Sequence, residues 1–370
     1  MAKWYNVAFL LLCWFICFSG LGFVQRAEAL GINYGQLGDN LLQPQQVVSL
    51  LKSNNITEAR IYDTNPQILS AFANSDIELI VTVENDMLNQ MTNSEAAVQW
   101  VVTRIKPYIP ATKITGIMLG NEVDATDLLP SLVPAMSNIQ RALSQLGYDS
   151  HIKVSSPFSY AVMGESYPPS AASFKPEVSH VMTQLLELLS TTKTPFWINA
   201  YPYFAYRDNS KDISLEYALL DNVNSSAGVT DPSSNLHYDN LLYAQVDAVN
   251  YAIQALGFYD IEVKVAETGW PSKGNDDEIG ASMENAATYN GNLLKRQSAK
   301  EGTPLKSSLD VYIFALFNEN KKQGPTSERN FGLFNPDGSV AYDVGLSGLS
   351  SATSTSSSPL SLAVTGTITN

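Results

Sequence analysis

The sequence predicts an α/β fold, a closed (β/α)8 TIM barrel with a small excursion after its sixth strand. Three observations carry that prediction. Short aliphatic or β-branched runs recur eight times along the chain, helical periodicity fills the intervals between them, and no glycine-rich phosphate loop follows the first run. An open doubly wound sheet would ordinarily carry such a loop, and Gly31-Ile32-Asn33-Tyr34-Gly35 does not fit G-x-G-x-x-G.

The eight candidate strands are Leu30–Tyr34, Ala59–Asp63, Glu78–Val83, Ile114–Gly120, Ile152–Ser156, Phe196–Ala200, Glu262–Ala266 and Asp310–Leu316. Between them, Val98, Val101, Val102 and Ile105 repeat at helical spacing, as do Ile139, Leu143 and Leu146. Leu242, Val246, Val249 and Ile253 repeat it again, with Gly257 placed to end that helix. Pro44, Pro66 and Pro176 suit the first turns of further helices, where a missing N–H costs nothing. The stretch Phe204–Asn240 is rich in Asn, Ser, Asp and Tyr, and forms the expected excursion over the barrel mouth.

Both ends differ from this core. Lys3, the apolar run Val7–Phe18 and Ala27-Glu28-Ala29 form a secretory leader over residues 1–29, too short in its apolar part to span a bilayer. The barrel domain is expected over 30–346. Residues 347–370 carry thirteen Ser or Thr and no charge, the composition of a disordered, O-glycosylated stalk. The Ser-rich spacer fits a GPI-anchor signal, whereas the apolar stretch Pro359–Val364 falls short of one. The expected location is outside the cell, in the wall space, with membrane contact only through such an anchor. Asn55-Ile56-Thr57 and Asn224-Ser225-Ser226 are N-glycosylation sequons that suit a secreted chain.

Charge and cysteine content exclude whole function classes. With 22 Lys and Arg against 36 Asp and Glu, the chain repels nucleic-acid phosphates and anionic lipid. The two cysteines, Cys13 and Cys17, lie in the leader, so a mature chain has no thiolate ligand or nucleophile. His151, His180 and His237 share no ligand spacing, so neither a metal nor any other cofactor is expected. A neutral or cationic partner fits this charge balance better, and a monomer is expected.

Catalysis in a barrel is expected where strands end at the C-terminal mouth. Three glutamates follow apolar strands there: Glu122 after the fourth, Glu267 after the seventh and Glu319 after the eighth. Each could merely cap a helix or pair with a loop lysine. Two of them facing each other across one mouth, with Asn121 and Trp270 alongside, is instead what glycosidic cleavage requires. One carboxyl protonates the leaving oxygen and the other attacks, or activates water, at the anomeric carbon. Tyr34, Tyr62, Tyr201, Tyr203, Phe204, Trp270, Phe317 and Phe334 also fall at or just beyond strand ends, where flat rings can stack on sugars. Asn33, Asn121 and Asn199 add amides suited to hydroxyl groups.

These residues carry a resemblance. Gly31-Ile-Asn-Tyr-Gly35, Arg60-Ile-Tyr-Asp63, Leu119-Gly-Asn-Glu122 and Asn199-Ala-Tyr-Pro-Tyr-Phe204 match segments of glycoside hydrolase family 17. So do Glu267-Thr-Gly-Trp-Pro-Ser272, Phe314-Ala-Leu-Phe-Asn-Glu319 and Phe331-Gly-Leu-Phe-Asn-Pro-Asp-Gly338. The chain resembles the plant glucan endo-1,3-beta-glucosidases of that family from about Leu30 to Gly345. The resemblance implies retaining hydrolysis of β-1,3-glucan, with Glu122 as acid/base and Glu267 as nucleophile. Retention requires those carboxyls about 5–5.5 Å apart. It also implies that Glu319, Lys322 and Glu328 position substrate and hold the acid's charge state, with Tyr34, Asn121, Asn199, Tyr201, Phe204 and Trp270 around the sugar. Mixed 1,3-1,4-β-glucan as substrate and a non-catalytic glucan binder on the same scaffold are the alternatives. Val83-Glu84-Asn85-Asp86 departs from the apolar-Pro-Asn expected at that place, which leaves Asn85 without an assigned role.

Overall fold

The computed structural model describes residues 31–123, 127–221 and 228–345. The leader, the Ser-rich tail and the sequon at Asn224 lie outside the described residues.

Eight parallel strands form the expected barrel. They are β1 (Gly31–Asn33), β2 (Glu58–Arg60), β3 (Glu78–Val83), β4 (Ile114–Leu119), β5 (Lys153–Ser155 and Pro157–Ser159), β6 (Phe196–Asn199), β7 (Val263–Thr268) and β8 (Val311–Ile313). The first part of β5 pairs with β4 and the second with β6, so the sheet closes through the single residue Ser156. Pro157 has no N–H to continue the ladder toward β4, which accounts for the break. Its carbonyl is used instead by the backbone N–H of Glu122, at 3.0 Å.

Each strand lies within two or three residues of its sequence-predicted position, and most strand residues are buried, as a parallel sheet covered on both faces requires. The barrel interior is filled by Ile80, Met118, Trp197, Ala266 and Tyr312, with the Trp197 and Tyr312 rings edge to face at 5.3 Å. Gly31 is required beside them, since a Cβ there would sit 2.6 Å from the Tyr312 ring.

The helices start and stop for local reasons. Pro44, Pro66 and Pro176 open α1 (Pro44–Ser53), α2 (Pro66–Ala71) and α3 (Pro176–Thr192). Asn240 caps α4 (Leu241–Ala255) by accepting the Tyr243 N–H at 2.9 Å, and Gly257 beyond its end has φ +91°. All four residues of the sequence-read stripe Leu242, Val246, Val249 and Ile253 are buried. The excursion after β6 holds the helix Pro202–Asp208 and the hairpin Val229–Thr230 with His237–Tyr238. Asp231 anchors that hairpin by accepting from Ser170, Ser233 and Ser234, which holds its carboxyl at about 2. Among the described residues no helix is long and apolar enough to cross a membrane, and no group of His, Cys, Asp and Glu could hold a metal ion.

Candidate active site

Two cavities open at the two mouths of the barrel. The larger, 720 Å³, lies at the N-terminal end, and three of its carboxylates have partners. Glu58 accepts from the Tyr312 hydroxyl at 2.6 Å, Lys264 pairs with Asp310, and Glu78 pairs with Lys113 at 2.9 Å. The other, 580 Å³, lies at the C-terminal strand ends, where barrel chemistry belongs. Glu122, Glu267, Glu319, Lys322 and Glu328 all line it, with Asn121, Tyr201 and Phe204.

Glu267 projects from the end of β7 and is 5% exposed. Arg60 donates to its Oε1 at 2.9 Å, as does the Tyr62 hydroxyl at 2.8 Å, while the Tyr201 hydroxyl donates to Oε2 at 2.8 Å. Burial, and after it the charge of Glu267, pushes both phenols well above their ordinary range, so they remain donors. Three donors and no competing acceptor suit a carboxylate rather than a carboxylic acid. Arg60 is itself fully buried and also donates to Asn121 Oδ1 at 2.6 Å and to Asn33 Oδ1 at 3.3 Å. Asn33 in turn donates to the Ala266 carbonyl at 2.9 Å, fixing the residue before Glu267.

Glu122 is built differently. It is solvent-exposed and follows β4 on a turn in which Gly120 has φ +67° and Glu122 itself φ +54°. A left-handed non-glycine residue costs on the order of 1–2 kcal/mol, and such strain concentrates at functional sites. Asn199 donates to Glu122 Oε1 at 2.8 Å from the end of β6.

Glu319, 5% exposed, is held above its ordinary carboxyl range by burial, with Glu267 and Glu328 adding to the effect. The Leu37 N–H, 3.0 Å from Oε1, and the Lys322 charge pull the other way. A Cβ on Gly35 would lie 2.3 Å from the Glu319 carboxyl, so the glycine leaves that carboxyl the place it occupies. Lys322 bonds Glu328 at 2.8 Å and stands 4.6 Å over the Phe314 ring, closing one wall of the cleft.

Two expected sugar contacts are corrected. Trp270 is fully buried, its indole N–H on the Gly280 carbonyl at 2.8 Å and its ring against Tyr203 and Tyr289. Tyr34 is 2% exposed and packs on Phe317. Neither lines the cleft, and Tyr203, Phe317 and Phe334 are likewise packing residues. The aromatic lining consists of Tyr62, Tyr201 and Phe204, joined by Phe314 and Phe331, which sequence reasoning left out. Arg60 was also missed as a site residue. A lone arginine closing a barrel strand was its available signal, since a buried guanidinium needs an anionic partner.

The sequence model of glycosyl hydrolases family 17 matches residues 30–346. The chain belongs to that family. Among curated family 17 relatives, glucan endo-1,3-beta-glucosidase 14 of Arabidopsis thaliana is 49% identical over 87% of this chain and 83% of its own length. Glucan endo-1,3-beta-glucosidase 11 of the same plant is 47% identical over 86% of this chain and 75% of its own. CJP38, a beta-1,3-glucanase and allergen of Cryptomeria japonica pollen, superposes with a TM-score of 0.82 at 44% identity, covering 86% of this chain and 99% of that one. A structure from a study of two plant beta-glucan endohydrolases with distinct substrate specificities gives 0.79 at 35% identity, covering 85% and 99%. The barrel is thus a family 17 barrel, and the 580 Å³ cleft lies at its C-terminal mouth.

Proposed function

We propose that this family 17 chain hydrolyses internal (1→3)-β-D-glucosidic bonds with retention of configuration, Glu267 acting as nucleophile and Glu122 as acid/base. One observation carries the assignment of roles. The two carboxyls share a cleft, yet one is buried among three donors and the other exposed on a strained turn with an amide donor. A pair of carboxyls set in such unlike surroundings can divide acid and nucleophile between them. The names of the relatives supply the substrate class.

In the first step Glu267 attacks the anomeric carbon. Oε1 already accepts from Arg60 and Tyr62, so Oε2, with one donor, has the freer lone pair. Glu122 delivers its proton to the departing glycosidic oxygen, and a glycosyl-enzyme ester remains on Glu267. In the second step Glu122, now a carboxylate, takes a proton from water as that water attacks the same carbon and Glu267 leaves. Glu319, Lys322 and Glu328 form the wall that places the sugar, Asn121, Tyr201 and Phe204 surround it, and the buried Asn199 holds the Glu122 carboxyl. Secretion, a monomeric state, and glycans on the exposed Asn55 and on Asn224 belong to the same reading.

The test is a product time course on linear β-1,3-glucan with mixed-linkage glucan alongside, read by chromatography and by proton NMR of the new reducing ends. Early mid-length β-anomers from the first polymer alone bear the proposal out. Cleavage of the mixed polymer alone replaces the substrate, initial α-anomers remove the double displacement, and binding without cleavage makes the chain a glucan-binding protein.

A further inference from the structure

Asn85 stands on the short 3-10 turn after β3, exposed, and the chemistry derived above does not use it. Its carboxamide nevertheless makes two bonds to one residue. Nδ2 donates to the Asn121 carbonyl at 3.0 Å, and Oδ1 accepts the Asn121 backbone N–H at 2.7 Å. The neighbouring N–H groups of the same turn are held by the barrel itself: Gly120 by the Val83 carbonyl at 2.8 Å, and Glu122 by the Pro157 carbonyl at 3.0 Å. Between two left-handed residues, both the backbone N–H and the carbonyl of Asn121 are thus taken by the one Asn85 side chain. The fit is close, since a Cβ on Gly120 would meet Asn85 Oδ1 at 2.7 Å.

We propose that Asn85 is a positioning residue for Glu122: its two-bond clamp on the Asn121 backbone sets the turn that aims the Glu122 carboxyl into the cleft. The inference rests on Glu122 being the acid/base. Being exposed, Asn85 can be replaced without opening a hole in the core, so its loss acts on the aim of the turn. A misplacement of about 1 Å can cost a rate on the order of 100-fold.

The experiment compares the full chain with Asn85→Ala, Asn85→Asp, Glu122→Gln and the double variant Asn85→Ala/Glu122→Gln on linear β-1,3-glucan. Asn85→Ala should lower kcat by about 10- to 100-fold, with KM within about threefold and an unchanged thermal midpoint. Asn85→Asp keeps the acceptor but sets an anion against the Asn121 carbonyl, and should also lose kcat. In the Glu122→Gln background the Asn85→Ala change should cost nothing further, because the group it aims is gone. On an aryl β-glucoside whose leaving group needs no proton, the kcat/KM deficit of Asn85→Ala should nearly vanish. Wild-type kcat in both Asn85 variants, or losses that multiply in the double variant, would overturn the proposal. Near-normal turnover by Glu122→Gln would instead strike the acid/base reading beneath it.

Discussion

Arg60 Nη1 lies 2.9 Å from Glu267 Oε1, with the arginine side chain wholly out of solvent and the carboxylate nearly so. The same guanidinium reaches Asn121, the residue before Glu122. One buried cation on β2 thus holds the proposed nucleophile directly and the turn of the proposed acid through its neighbour.

Removing one member of a buried ion pair leaves the other charge uncompensated, at a cost of about 3–5 kcal/mol. Arg60→Ala should lose stability on that scale and turnover with it, read by chemical denaturation and by kinetics on β-1,3-glucan. Arg60→Lys keeps the charge but not the fork that serves Glu267 and Asn121 together, so it should recover stability better than activity. Equal recovery of both would reduce Arg60 to a charge balance.

Glu267→Ala should lower kcat on the order of 10⁴-fold or more while leaving glucan binding measurable by calorimetry. Azide can enter the space left beside Arg60 and attack an activated aryl β-glucoside from the vacated face, the aryl group leaving as phenol or phenolate. The product would then be an α-glycosyl azide. A β-glycosyl azide, or none alongside normal turnover, would assign the nucleophile elsewhere.

How much of this was legible in the sequence depends on the range of the forces involved. Strands and helix ends are local, so short aliphatic or β-branched runs, Pro44, Pro66 and Pro176 at helix starts and Gly257 at a helix end sufficed to place them. Glu122, Glu267 and Glu319 were reachable because the barrel rule converts a strand end into a place. The unequal settings of Glu122 and Glu267 were not, since these depend on Arg60, Tyr62 and Tyr201 from other strands. Asn85 reaches Asn121 across 36 positions, and the Gly35 cradle for Glu319 spans the whole barrel. The side to which a ring turns after a strand is likewise a tertiary choice, which is why Trp270 reads as a sugar platform and proves to be core.

That correction has a measurable consequence. Trp270→Ala should cost about 3–5 kcal/mol of stability, as large-to-small changes in a packed core do. Phe204 lines the cleft and is only partly buried, so Phe204→Ala should raise KM about 2- to 10-fold with a small change in thermal midpoint. Thermal melts and Michaelis kinetics on both variants separate the roles. A stable Trp270→Ala with raised KM would return that ring to the substrate.

Glu319 gives the pH dependence its sign. Burial raises its folded-state carboxyl above the unfolded value of about 4.3, the Leu37 N–H and Lys322 offsetting only part. Between those two values the folded chain binds more protons than the unfolded one, so this group's contribution to stability falls as pH rises through the window. It is complete below the unfolded value and gone above the folded one, the reverse of a salt-bridged carboxylate with a depressed pKa. Glu319→Gln removes that titration while keeping an oxygen for the Leu37 N–H. Its stability relative to the parent should therefore increase from about pH 4 upward, by about 1.4 kcal/mol for each unit of the shift, and then level off. Urea unfolding of both proteins across pH 3.5 to 7.5 measures this difference directly. A difference that shrinks as pH rises would mean that Lys322 outweighs burial, and that Glu319 stabilises the fold as an anion.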